Sequence, residues 1–222
     1  MTEHLADVYE RLYRAYGRQH WWPGDTPFEV IVGAILTQSA AWTNVEKAIV
    51  NLKAAGALSP EGIHRLDEGD LAALIRPSGY FNAKARKLKA FVEMLYERFE
   101  GDLDALLTTP LPHLRNLLLS THGIGPETAD SIVLYAAGQA SFVIDAYTRR
   151  IFGRLGLDVG RDTYDAWQRL FMSGLPLDAT LFNEYHALIV RLGKERCLRS
   201  RPLCVGCPLQ EGCRTGMGVH SG

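Results

Sequence analysis

L-L-L-S-T-H-G-I-G-P-E-T-A-D-S-I-V-L-Y-A-A-G-Q-A-S-F-V-I-D-A-Y-T-R-R-I-F-G-R, residues 117–154, decides how the rest of the chain is read. An apolar helical pattern ends at Gly123-Ile124-Gly125, and Pro126 then suits the first turn of a new helix, where its missing N–H would have had no partner. The sequence therefore reads helix, tight turn, helix. Such a turn can be an ordinary connection between packed helices, or it can bring backbone N–H groups and the positive end of a helix dipole up to an anion such as phosphate. Asp145 follows the apolar triplet Phe142-Val143-Ile144 and opens another amphipathic segment. There it can act as an N-cap, and a capping carboxylate fixed at a helix mouth is also available for catalysis.

Working outward, the periodicity predicts helices over 4–16, 28–36, 111–120, 127–137, 146–155, 163–172 and 181–192. The segment from Phe28 to Leu36 is apolar on nearly every side, which predicts a central buried helix capped by Asp25 or Thr26. Asp102 to Leu106 reads as a short helical turn. A further helix is expected to start near Asn82, which can cap it, and to run basic at first and apolar on one face to about Phe99. No alternating pattern lasts long enough for a strand, so the fold class is all-α. The organisation expected is two lobes around a cleft: a helical barrel over 24–136, and a second lobe from 1–23 plus 137–222.

Composition sets the outer bounds. A 222-residue chain with 47% hydrophobic residues can bury a sizeable core. Its first residues are acidic where a signal peptide is basic, and its longest apolar run is too short for a bilayer, so a cytoplasmic protein with no membrane partner is expected; a monomer is expected as well. The formal charge of −1 is unlike the strongly basic balance of most nucleic-acid binders. The positive residues are clustered, however: Lys84, Arg86, Lys87 and Lys89; Arg149, Arg150 and Arg154; Lys194, Arg196, Arg199 and Arg201. Each cluster on its own reads as a solvated helix face. All four cysteines fall in Cys197-x6-Cys204-x2-Cys207-x5-Cys213, which argues for a metal site in a reducing compartment and against a disulfide framework. Four thiolates can hold zinc or an iron–sulfur cluster, and the spacing alone chooses neither. Locally, Trp21, Trp22 and Trp42 read as core residues and Gln38 as a solvated polar residue in a connection.

The hairpin, the helix that follows it and Asp145 together resemble the helix-hairpin-helix, Gly/Pro-rich loop and Asp signature of the endonuclease III superfamily of DNA glycosylases. The resemblance implies a base-excision-repair enzyme acting on double-stranded DNA that contains a damaged base. It makes Asp145 the catalytic carboxylate, and Gly123 and Gly125 the hairpin that meets the DNA backbone. It assigns a [4Fe–4S] cluster to Cys197, Cys204, Cys207 and Cys213, with Arg199 and Arg201 in the loop that approaches DNA. It also places Gln38 and Tyr80 where family members fill and wedge the duplex vacated by an extruded base.

Bifunctional members carry a nucleophilic lysine just after the hairpin glycines, and here that position is Glu127, which cannot form a Schiff base. The expected chemistry is therefore hydrolysis without strand cleavage. Trp21-Trp22-Pro23 is similar to the W-W-P element of the 3-methyladenine DNA glycosylases of the MagIII type, and Trp42 stands where those enzymes have an aromatic residue facing the base. Aromatic faces favour alkylated, electron-poor purines. The MagIII prototype lacks the cluster cysteines, so this chain combines its pocket elements with the metal loop of the wider family. Two other readings remain at this stage: a mismatch (thymine or uracil) or oxidised-pyrimidine glycosylase, with or without lyase activity through Lys84 or Lys194, and a non-catalytic DNA-binding or redox iron–sulfur protein.

Overall fold

The computed structural model describes residues 2–218, and among these it contains helices and no strands. In chain order the helices are α1 (Thr2–Tyr16), α2 (Pro27–Leu36), α3 (Trp42–Ala54), α4 (Pro60–Arg65), α5 (Glu68–Leu74), α6 (Phe81–Phe99), α7 (Leu103–Leu107), α8 (Leu111–Ser120), α9 (Pro126–Ser131), α10 (Ala146–Leu155), α11 (Tyr164–Gly174), α12 (Ala179–Glu195) and α13 (Arg214–Met217). The chain separates into two compact units, Pro23–Gln139, and Met1–Trp22 with Ala140–Gly222.

In the unit 23–139, α2 is the central helix: every residue from Phe28 to Leu36 is buried. It packs on α3, α6 and α9. Thr26 caps it by accepting from the Glu29 amide at 3.2 Å. At its other end, the Leu36 carbonyl accepts from Lys84 Nζ at 2.7 Å. Lys84 also donates to the Ser78 carbonyl, at the end of a 3₁₀ turn over Arg76–Ser78, and is only 2% exposed. Within the basic cluster of α6, then, Lys84 is an interior strut joining two helix ends that have spare carbonyls. Asn82 does not cap α6. The helix begins at Phe81 with Tyr80 in the N-cap position, and both Gly79 and Tyr80 have a left-handed φ.

The hairpin helices are α8 and α9. Arg115 on α8 grips Asp130 on α9 through two parallel hydrogen bonds, 2.8 and 3.0 Å, with Asp130 fully buried. A bidentate buried pair of this kind fixes the angle between its two helices as well as their separation. The second helix is shorter than its sequence suggests. After Ser131 it widens into a π-helical turn over Ile132–Ala136, which keeps Ile132, Val133 and Leu134 all buried.

In the other unit the core is aromatic. Phe142 stacks on Phe171 with ring centres 4.1 Å apart, and Phe152 meets Phe171 edge-on at 4.8 Å. The Tyr185 hydroxyl donates to the Leu5 carbonyl at 2.8 Å, tying α12 to α1. Around this core α12 packs on α1 and α10, and α11 packs on α1. The short α13, in the tail after Cys213, packs on α10. The end of that tail lies outside the described residues.

Candidate functional site

Asp145 is delivered by a buried extended segment. Ser141, Phe142, Val143 and Ile144 are all at most 2% exposed, so α11 must satisfy their backbone groups. Gln168 donates to the Phe142 carbonyl at 2.9 Å, and the Ile144 amide donates to the Tyr164 hydroxyl at 3.4 Å. Pinned in this way, the segment ends at the mouth of α10 with Asp145 in the N-cap position. Its Oδ1 accepts from the Thr148 amide at 2.7 Å and the Thr148 hydroxyl at 2.9 Å. Its Oδ2 faces Nε2 of His186, on α12, at 3.6 Å. Burial alone would push this carboxyl pKa up, but His186 and the two Thr148 hydrogen bonds outweigh burial and hold it below the ordinary carboxylate range. The side chain is only 13% exposed yet stays ionised, so it is a fixed anion at a helix mouth.

In the same unit Trp21 and Trp22 meet edge-to-face with ring centres 5.5 Å apart, and the Lys194 ammonium lies 5.8 Å from the centre of the Trp21 ring. The four cysteines, none in a disulfide, line one cavity together with Arg154, Arg196 and Leu203. Burial and then the neighbouring thiols raise the pKa of Cys204 and Cys207, so four thiolates at this spot need a cationic group to hold them together. Among the described residues no three His, Cys, Asp or Glu side chains are grouped as for a single metal ion. Four thiols around one cavity are a donor set that suits a thiophilic metal or an iron–sulfur cluster.

Arg150 and Arg154 do not form a solvated face. Arg150 donates to the Cys197 and Gly193 carbonyls, and Arg154 to the Leu198 and Arg199 carbonyls and, at 3.2 Å, to Cys197 Sγ. Arg11 reaches the Pro208 and Glu211 carbonyls from α1. The cysteine loop is thus held by arginines from two helices, while Arg199 and Arg201 on it stay exposed.

In the unit 23–139, Gln38 is not a solvated residue. Its amide nitrogen donates to the Gly123 carbonyl at 3.2 Å and to the Thr128 hydroxyl at 2.8 Å, and its oxygen accepts from Lys87 Nζ. Gly123 has φ +80°, and a Cβ there would sit 2.3 Å from Lys87 Cγ, so both backbone and packing require glycine. Gly125 has φ −91° and open space beside it. Tyr80 is 74% exposed at its loop tip, and Trp42 opens α3 with its indole N–H on Glu46. Pro23 is exposed and Glu127 lies in the exposed first turn of α9. The structure thus brings Gln38 and Gly123 together in one unit and Asp145 with His186 in the other. His186, Thr128 and Thr148 carry no local sequence signal; only their spatial partners identify them.

A buried carboxylate caps the helix that follows a glycine-built hairpin on an all-helical scaffold, the arrangement that the helix-hairpin-helix resemblance implies. Residues 32–177 match the HhH-GPD superfamily of base excision DNA repair proteins, and the chain belongs to that family. It is a DNA glycosylase. It is 45% identical over 213 residues to a putative DNA repair glycosylase of Methanocaldococcus jannaschii, covering 95% of this chain and 96% of that one. Among solved structures it is similar to the Helicobacter pylori 3-methyladenine DNA glycosylase MagIII bound to 1,N6-ethenoadenine, at 27% identity and TM-score 0.73, over 87% of this chain and 95% of that one. The fold also matches an endonuclease III–DNA complex at TM-score 0.85 and 22% identity, over 100% of this chain and 99% of that one.

Proposed function

We propose that the chain is a monofunctional glycosylase that hydrolyses the N-glycosidic bond of alkylated purines such as 3-methyladenine in double-stranded DNA. The observation that carries this reading is Asp145, an ionised carboxylate with one oxygen anchored by Thr148 and the other turned away from the cap. As the base leaves with the bonding electron pair, the sugar becomes oxocarbenium-like; the carboxylate stabilises that charge and orients water toward C1′. The water oxygen forms the new bond, and its proton passes to the carboxylate and on to solvent. Glu127 supplies no amine, and the Lys84 amine is buried and engaged by two carbonyls, which keeps it from attacking a sugar.

In this reading Trp21, Trp22, Pro23 and Trp42 recognise the base, and Gln38 and Tyr80 enter the vacated duplex. Gly123 and Gly125 contact the DNA backbone, and Arg199 and Arg201 contact phosphates. The similarity to MagIII supports the choice of an alkylated base. Cys197, Cys204, Cys207 and Cys213 would hold a [4Fe–4S] cluster, which supplies a covalent cross-link to a loop with little core of its own. As purified in air the protein is then expected to be brown; a colourless protein carrying stoichiometric zinc contradicts this.

Borohydride trapping on methylated duplex DNA tests the chemistry, because only an imine intermediate gives a covalent adduct. The expected result is free base and alkali-labile sites with no adduct; an adduct would overturn the monofunctional reading. Trp42→Ala should lower activity on 3-methyladenine by roughly one to two powers of ten, since stacking contributes ~1–3 kcal/mol per base. Unchanged activity removes Trp42 from the base-recognising set.

A further inference from the structure

The chain has other aspartate N-caps with which Asp145 can be compared. Asp67, Asp102 and Asp178 cap α5, α7 and α12, and each accepts only from backbone amides of its own first turn. Among the described residues none of these three carboxylates pairs with a cationic or imidazole side chain, and their caps are exposed. Capping therefore needs nothing from a second helix. Asp145 has a second-helix partner nonetheless. Its Oδ1 is saturated by Thr148, as in an ordinary cap, and its Oδ2 faces His186 Nε2 from α12.

His186 is 5% exposed and follows Tyr185, whose hydroxyl is locked to Leu5 and whose ring sits in the aromatic core. The imidazole is thus carried next to a residue anchored both by a buried hydrogen bond and by aromatic packing. A separation of 3.6 Å is a close polar contact somewhat wider than a hydrogen bond, and such contacts in free enzymes commonly tighten when substrate binds.

We propose that His186 is a positioning residue of the glycosylase, whose Nε2 fixes Oδ2 of Asp145 in the orientation that hydrolysis uses. The inference rests on reading Asp145 as the catalytic carboxylate. A carboxylate gripped at one oxygen by α10 still swings about that grip, and a misplacement of about 1 Å can cost a hundredfold in rate. His186 removes that freedom from a separate helix.

The test is single-turnover base release from methylated duplex DNA, or from whichever duplex the wild-type chain excises fastest, measured over a range of enzyme concentrations. His186→Leu keeps the volume and removes the donor. It should slow the saturating rate roughly tenfold to a hundredfold and leave the half-saturating concentration nearly unchanged. His186→Gln places an amide N–H near the position of Nε2 and should recover most of the rate. Where His186→Leu does not fold, His186→Asn takes its place, since its amide is too short to reach Oδ2; it should be slow where Gln is fast. A wild-type rate in His186→Leu, or a Gln variant as slow as Leu or Asn, overturns the proposal. Asp145→Asn, run alongside, separates the two readings. If it remains active, the assignment of Asp145 itself fails; if it is inactive while His186→Leu keeps the wild-type rate, only the role of His186 fails.

Discussion

Two helix mouths on this chain are built in opposite ways. At α10 the first amides are closed by the helix's own carboxylate, with Thr148 N–H and hydroxyl both on Asp145 Oδ1. At α9 the N-cap is Gly125, which brings no side chain, and Pro126 follows it. The first arrangement fixes an anion that belongs to the protein. The second leaves a helix mouth to which an outside anion can come close, and its surroundings are held from the side by Gln38, Lys87 and the Arg115–Asp130 pair. On the proposed reading one dipole effect serves two purposes, with an internal carboxylate for chemistry and an approachable backbone for DNA.

The contrast can be broken by substitution. The largest effect is expected at α10: Asp145→Asn should lower excision by about a thousandfold or more, with duplex affinity largely kept, because the loss falls on the charged transition state. A parallel loss of affinity in a gel-shift titration would contradict the division of labour. Next comes Gly123→Ala. A left-handed backbone and a Cβ 2.3 Å from Lys87 Cγ should destabilise the fold by roughly 1–3 kcal/mol in chemical denaturation and weaken DNA binding with it. Gly125→Ala sharpens the comparison, since its φ of −91° and open surroundings predict a stability change within about 0.5 kcal/mol. Any loss of DNA affinity in that variant then reports close approach of the backbone to phosphate rather than damage to the hairpin.

The smallest effect is on acid stability. Because the folded-state pKa of Asp145 is lowered, its stabilising contribution is present above the ordinary carboxylate value of 3.8 and is lost as pH falls through the lower folded value. The difference in thermal midpoint between wild type and Asp145→Asn should be constant near neutrality and shrink below about pH 4. A gap that does not change with pH would show that the carboxylate is not held ionised.

Much of this was legible from sequence because it depends on local chemistry. The hairpin glycines, Pro126, the apolar run of α2 and the Asp145 cap each act within a few residues, and so do the periods that set the helices. Interior electrostatics were not legible. Lys84 and Arg154 look like members of solvated basic faces, yet one joins two helix ends and the other holds the cysteine loop. Gln38 looks solvated and is gripped by residues 85 and 90 positions away. His186 sits 41 positions after Asp145 on a helix whose pattern shows only burial. The π-helical turn after α9 has no sequence mark either, since an i→i−5 bond from Ala137 to Ile132 depends on how that helix packs.

The account is tested most directly by measuring free bases released from methylated duplex DNA beside duplexes carrying uracil, a thymine:guanine mismatch or an oxidised pyrimidine. It predicts that methylated purines, 3-methyladenine foremost, leave fastest and as intact bases. Faster release from the mismatch or the oxidised pyrimidine would contradict the alkyl-purine assignment, and release from none of the four would contradict the glycosylase reading itself.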